Sequence, residues 1–237
     1  RLAGQIQAEE EKIYIKPREA TYLNLTLRNP FKKARYFDLV LQAPQNYQIS
    51  PKRIRIMLES EERRELKIKI EAKECAEKRG TILIKEEKSG IEKEVEIELL
   101  KLEEIGFEEL FESLGEWEKW PGGGARIYQA SKGALIECAK DMPFSAVEKE
   151  ISVDLDKHPI LVIKVNSCEG LWALKVRPVD DMRDICLVSD TSRTGIFECD
   201  IQKATGWRGR RNFKVIIFAV GEGKRLEVEW LRMVSAR

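Results

Sequence analysis

From Asn212 to Val220 the chain reads NFKVIIFAV, nine residues with neither glycine nor proline and with a single charge. At a period of two, Phe213, Val215, Ile217 and Ala219 fall on one face and Lys214, Ile216, Phe218 and Val220 on the other. Both faces are apolar beyond Lys214, the pattern of a strand buried between two layers. Such a strand needs sheet around it, and everything after Leu110 reads as that sheet. Strand-like runs at 134–138, 146–153, 159–165, 172–176, 185–188, 195–201 and 226–231 accompany it. Eight strands with long polar connections fit a jelly roll.

The first half carries a shorter rhythm. Ile13 and Ile15, then 22–27, 36–41, 47–49, 53–58, 65–70, 80–84 and 95–99, alternate apolar with polar. Turn residues separate them at Lys16–Glu19, Asn29-Pro30, Ala43–Asn46 and Ser50-Pro51. Seven or eight short strands in about 90 residues are the spacing of an immunoglobulin-like sandwich. The alternating Lys, Arg and Glu form its solvated face, and residues 1–12 read as frayed or as an edge strand. A length of 237 residues suits two domains of ordinary size. The expected fold is therefore all-β: an immunoglobulin-like β-sandwich over 1–100, a connector over 101–115 and a jelly-roll β-sandwich over 116–237. For the connector, KLEEIGFEELFESLG places Leu102, Ile105, Leu110, Phe111 and Leu114 near helical spacing with Gly115 as a stop, which predicts a short helix. A loose acidic linker is the alternative.

Charge and cysteine content narrow the function. Forty-two Lys and Arg against 41 Asp and Glu leave +1, so no overall basic field exists to draw nucleic acid. No apolar run approaches the roughly 20 residues that span a bilayer, so no membrane span is expected in this segment. At 35% charged residues the surface is of the ion-pair-rich kind enriched in hyperthermophiles, and a thermophilic source is expected. Cys75, Cys138, Cys168, Cys186 and Cys199 contain no CxxC pair and meet a single His, which disfavours zinc. They read as isolated core thiols, with one or two disulfides as the other possibility. The start at Arg1, without Met or a leader, reads as a processed product or a fragment of something longer.

The search for chemistry finds binding residues rather than catalytic ones. In ATGWRGRR, two glycines, Trp207, Arg208, Arg210 and Arg211 share eight residues. A tryptophan face packs on the C–H face of a pyranose, and arginine forks onto carboxylate or phosphate. Trp207 either contacts a ligand or caps the end of the sandwich; the arginines either meet an acidic ligand or form a solvated loop. The same two readings apply to Trp117 and Trp120, which flank the triplet Gly122–Gly124. Trp172 and Trp230 lie within strands and read as core. Asp180, Asp181, Asp184 and Asp190 offer oxygen for a structural calcium ion, although their spacing matches no EF-hand loop and an ordinary surface turn is favoured. His158 has no evident nucleophile partner and reads as structural. No GxSxG elbow or phosphate-binding glycine loop occurs, and two small sandwiches lack the large cleft on which a two-carboxylate glycosidase is usually built.

Two resemblances follow from particular stretches. The run LTLRNPFKKARYFDLVLQAPQNYQISPKRIRIMLESEERRELKIKI, with Asn29, Tyr47, Ser50-Pro51 and Glu59–Glu62 at its turns, resembles the Ig-like domains attached to exported glycosidases and archaeal surface proteins. That resemblance implies a spacer or adhesion role. The succession PILVIKV, WALKV, DTSRTGIFECDI, TGWRGRRNFKVIIFAVG and a closing Val228-Glu229-Trp230-Leu231-Arg232 is similar to galactose-binding-like jelly rolls, the fold of many carbohydrate-binding modules. Together they imply a noncatalytic module of a secreted or cell-surface protein whose partner is a glycan or surface polysaccharide. The alternatives are a structural or protein-docking pair of sandwiches and an accessory fragment of a glycosidase.

Overall fold

A computed structural model of the chain describes residues 5–8, 10–73, 75–100 and 104–236. The chain divides into two compact units, Arg1–Leu102 and Glu103–Arg237, and both are built from strands.

The first unit holds β1 (Ile6–Ala8), β2 (Lys12–Ile15), β3 (Ala20–Arg28), β4 (Arg35–Gln42), β5 (Tyr47–Ser50), β6 (Arg53–Leu58), β7 (Arg63–Ala72), β8 (Arg79–Glu86) and β9 (Glu92–Leu99). They form two sheets, β1-β3-β7-β5 and β2-β9-β8-β4-β6. The N-terminal stretch is shared between them: β1 is an edge strand antiparallel to β3, whereas β2 runs parallel to β9. Leu23, Leu25 and Leu27 from one sheet and Phe37, Leu39, Ile82, Ile84, Val95 and Ile97 from the other fill the space between. This is the expected immunoglobulin-like sandwich, and the alternation read from the sequence is what puts those side chains on one face.

The second unit holds β10 (Ile105–Glu109), β11 (Glu118–Lys119), β12 (Arg126–Gln129), β13 (Ala134–Glu137), β14 (Phe144–Asp154), β15 (Ile160–Cys168), β16 (Leu171–Pro178), β17 (Ile185–Thr191), β18 (Gly195–Asp200), the helix α1 (Ile201–Thr205), β19 (Arg210–Val220) and β20 (Arg225–Val234). One sheet has the order β12-β13-β20-β15-β18, with β10 also on β20, and the other β11-β14-β19-β16-β17. From β13 to β20 the chain passes back and forth between the two sheets, except at the β16–β17 hairpin, so that every strand but β17 lies beside one that is not its neighbour in sequence. That interleaving is the jelly roll, and its eight strands coincide with the eight runs read from the sequence.

Two local expectations change. Residues 105–109 are a strand on β20, not a helix; 101–103 lie outside the described residues. The end of β20 not covered by β13 presents free hydrogen-bonding groups, and β10 takes them up, so sheet pairing outweighs the helical spacing of the apolar residues. Phe111, meanwhile, leaves any helical path with φ +57° and is buried in the core. Also, Ile201 opens α1 rather than closing the preceding strand. Asp200 caps the helix by accepting from the Lys203 N–H at 2.9 Å, as short polar side chains at this position do.

The five thiols are free: Cys138 and Cys199 are buried, Cys168 half-buried, Cys75 and Cys186 exposed. Burial pushes the Cys199 thiol up to about 11.

Candidate functional site

The loop that follows α1 closes one end of the jelly roll. Trp207 is half-buried, packs on the core and meets Phe213 with ring centroids 5.5 Å apart. Its backbone N–H donates to Thr205 Oγ1 at 3.0 Å. Arg208 donates to Gln202 Oε1 at 2.9 Å, and Gln202 donates in turn to Asp156 Oδ1 at 2.9 Å. Arg211 reaches back to the Arg208 carbonyl at 3.3 Å, and Arg210 is exposed at the start of β19. The indole thus faces the core while the guanidinium groups face water.

The carboxylates proposed for calcium do not converge. Asp181 accepts from the Arg183 side chain at 3.0 Å, Asp184 lies 3.8 Å from Arg177, and Asp190 is exposed on β17. Burial raises the Asp184 carboxyl against the opposing pull of Arg177 and Lys175. Among the described residues no group of three His, Cys, Asp or Glu could hold a metal ion. His158 lies over Gly106, where an added Cβ would come within 2.5 Å of the imidazole.

The other two candidate tryptophans sit on opposite faces of one sheet edge. Trp117 points into the core, stacks on Phe111 at 5.2 Å and donates from Nε1 to Glu109 Oε2 at 3.3 Å. Glu109 also accepts from the Phe111 N–H at 2.6 Å and pairs with Lys149, which a second carboxylate, Glu116, meets at 2.6 Å. Burial works against the charge on Lys149, but these two carboxylates outweigh it and raise the ammonium pKa. Trp120 points outward and lies on Phe218 with centroids 5.1 Å apart, beside Ala146, Ala173 and Ile216. Within this unit, the second apolar face of β19 is covered, among the described residues, by an indole from a loop. Further along that face, the buried Glu148 takes Arg177 and Lys214 as partners, and the Glu148 hydrogen bond raises the Lys214 pKa.

The glycine triplet explains why the two side chains beside it lie as they do. A Cβ on Gly122 would stand 2.1 Å from the Trp120 indole, and one on Gly124 would stand 2.6 Å from Cβ of Lys119. Only bare backbone lets both side chains lie flat against the loop.

Between the edge strands of the two sheets, β11 and β12, opens a cleft of about 290 Å³. Its walls are Trp117, Glu118, Lys119, Ala125, Arg126 and Tyr128, with Ile127 and Val147 below. Tyr128 is 42% exposed and lies two residues from Arg126, on the same side of β12. Glu118 lies 3.6 Å from Lys214. Of these residues only Trp117 is among those singled out by the sequence. Lys119, Arg126 and Tyr128 sit in strands of two and four residues, too short to show a period. The available signal is the hairpin formed by RIYQ, a four-residue loop ending in Gly133, and ALIE.

No protein-family model matches the sequence, nor does any curated protein. Among solved structures, the chain is similar to CBM86, a low affinity xylan binding module from Roseburia intestinalis, at 11% identity and TM-score 0.35 over 55% of this chain and 97% of that one. It is similar to CpGH89CBM32-6 of Clostridium perfringens at 7% identity and TM-score 0.29, over 54% and 100%. It is also similar to the YadV chaperone at 10% identity and TM-score 0.32, over 97% and 100%. At these scores the similarities imply no shared function.

Proposed function

We propose that the chain is a noncatalytic binding module of a secreted or cell-surface protein, and that its second unit takes a saccharide in the cleft between β11 and β12. The observation that carries this reading is the exposed Tyr128 ring beside the hydrogen-bonding side chains of Glu118, Lys119 and Arg126 in a single concavity. A sugar ring needs both an apolar surface for its C–H face and polar groups around its rim. At about 290 Å³ the cleft lies at the low end of small-molecule sites, roughly 300–1,000 Å³, which suits one sugar unit at a time and weak binding. The first unit serves as a spacer. A glycan array on the intact chain tests the reading, followed by titration of the best ligand against Tyr128→Ala. Loss of roughly 1–3 kcal/mol of binding is expected, the scale of an aromatic contact at a site. An array without any bound glycan sinks the reading.

A protein-docking role is favoured by one other feature. Phe144 and Leu171, 40% and 41% exposed, flank Val220 in register across β14, β19 and β16. A Phe144→Asp variant that binds glycan normally leaves the cleft reading intact and separates the two surfaces.

A further inference from the structure

Resting on the reading of this cleft as a saccharide site, we infer that it selects acidic saccharides, sugars whose ring carries a carboxylate. The argument is an account of which charges around the cleft are already committed. Glu137 stands opposite Arg126 in the β12–β13 register, where a cross-strand ion pair would be expected. It is taken instead by Arg225, whose Nε donates to it at 2.8 Å. Glu118 faces Lys214 at 3.6 Å. Glu148 is held by Arg177 and Lys214, and Glu109 by Lys149. Each of these carboxylates thus has a cation within ion-pair distance, Glu118 sharing Lys214 with Glu148.

Two cations in the cleft wall stand apart from these pairs. Neither the Lys119 ammonium nor the Arg126 guanidinium has an ion-pair or hydrogen-bond partner among the described residues, and both residues are exposed. They differ from ordinary surface cations in being positioned. The Lys119 stem lies along Gly124, where an added Cβ would stand 2.6 to 2.8 Å from its Cβ, Cγ and Cδ. Arg126 projects from the same face of a paired strand as Tyr128. A pyranose resting on Tyr128 would present its ring substituent to Arg126, with Lys119 on the opposite wall. A planar carboxylate matches the guanidinium fork in a way that a neutral hydroxymethyl group does not. A positively charged concavity also raises the local concentration of an anionic ligand before contact.

The test uses the intact chain and immobilised oligomers of galacturonic, glucuronic and mannuronic acid, each beside its carboxyl-reduced, neutral counterpart. At least one acid should bind about tenfold or more tightly than its reduced form, the scale of one charge-assisted hydrogen bond. That preference should weaken as salt is raised. The double variant Lys119→Gln, Arg126→Gln should lose the preference, so that each acid binds no more tightly than its reduced form, while the melting temperature is kept, since both side chains are solvent-facing. Reduced forms that bind as well as the acids, or a preference that survives the double variant, overturn the inference and leave the cleft reading standing. Absence of binding to every oligomer and to a neutral glycan array overturns both together.

Discussion

Asn29 shows how much one side chain can hold. Fully buried, it donates from Nδ2 to the carbonyls of Lys33, Leu58 and Glu59 at 2.9, 3.1 and 2.8 Å and accepts from the Phe31 N–H at 3.2 Å. It ties the end of β3 to the turn after β6, and Asn29→Ala would remove all four of these bonds at a fully buried position. The expected cost is about 2–4 kcal/mol, read as a lower urea midpoint with unchanged slope. Trp207 is a second case. Because its ring rests on Phe213 and the core, Trp207→Ala should cost about 2–3 kcal/mol of stability and leave glycan affinity unmoved. Thermal melting and titration of that variant check both halves. Asn29 was legible as a turn residue because asparagine before proline is a turn signal on its own. The orientation of Trp207 was not legible, since a Trp between Gly206 and Arg208 looks the same in sequence whether it faces inward or outward.

At the scale of elements, strands whose alternation ran for five or more residues were readable, and those whose pairing came from elsewhere were not. β12 is held only by its short hairpin with β13, and β11 owes its conformation to β14, distant in sequence. β10 does so too, and its apolar residues even favoured a helix. Its anchor is Glu109, one carboxylate serving Trp117, Phe111 and Lys149. Glu109→Ala should cost about 2–3 kcal/mol, less than a fully isolated buried pair because Glu116 still holds Lys149. Amide exchange should then accelerate across 105–109 before it changes elsewhere. In the first unit, the turn from β8 to β9 is held by the buried Glu86, which accepts from the Ser89 N–H at 2.6 Å. Burial alone would raise this carboxyl, but the hydrogen bonds from Ser89 and the Asp38 backbone bring it below its ordinary 4.5. The unfolded chain therefore binds the proton more tightly than the folded one. Stability from Glu86 is complete above about 4.5 and is lost as pH falls through the lower folded value. Urea midpoints measured from pH 6 down to pH 3 should fall, and Glu86→Gln should flatten that fall. An unchanged slope would remove Glu86 as its source.

For the molecule as a whole, the two-sandwich architecture was legible because period-two patterning repeats along both halves, whereas the cleft arises only where two sheet edges meet. The jelly roll depends on its last strand. β20 pairs with β13 and β10 along one edge and with β15 along the other, so it supports most of the six-stranded sheet. Truncation after Lys224 should abolish the cooperative transition of the second unit in calorimetry while a transition of the first remains. Retention of two transitions would contradict that central role. During synthesis the same placement imposes a delay. Glu109 and its partner Leu231 leave the ribosome on the order of ten seconds apart at usual elongation rates. Late in that interval β10, β13 and β15 are all complete but lack the strand that joins them. A nascent chain of this kind is most exposed to wrong pairing just before its final strand appears, so slowing translation near residues 221–225 should lower the soluble yield.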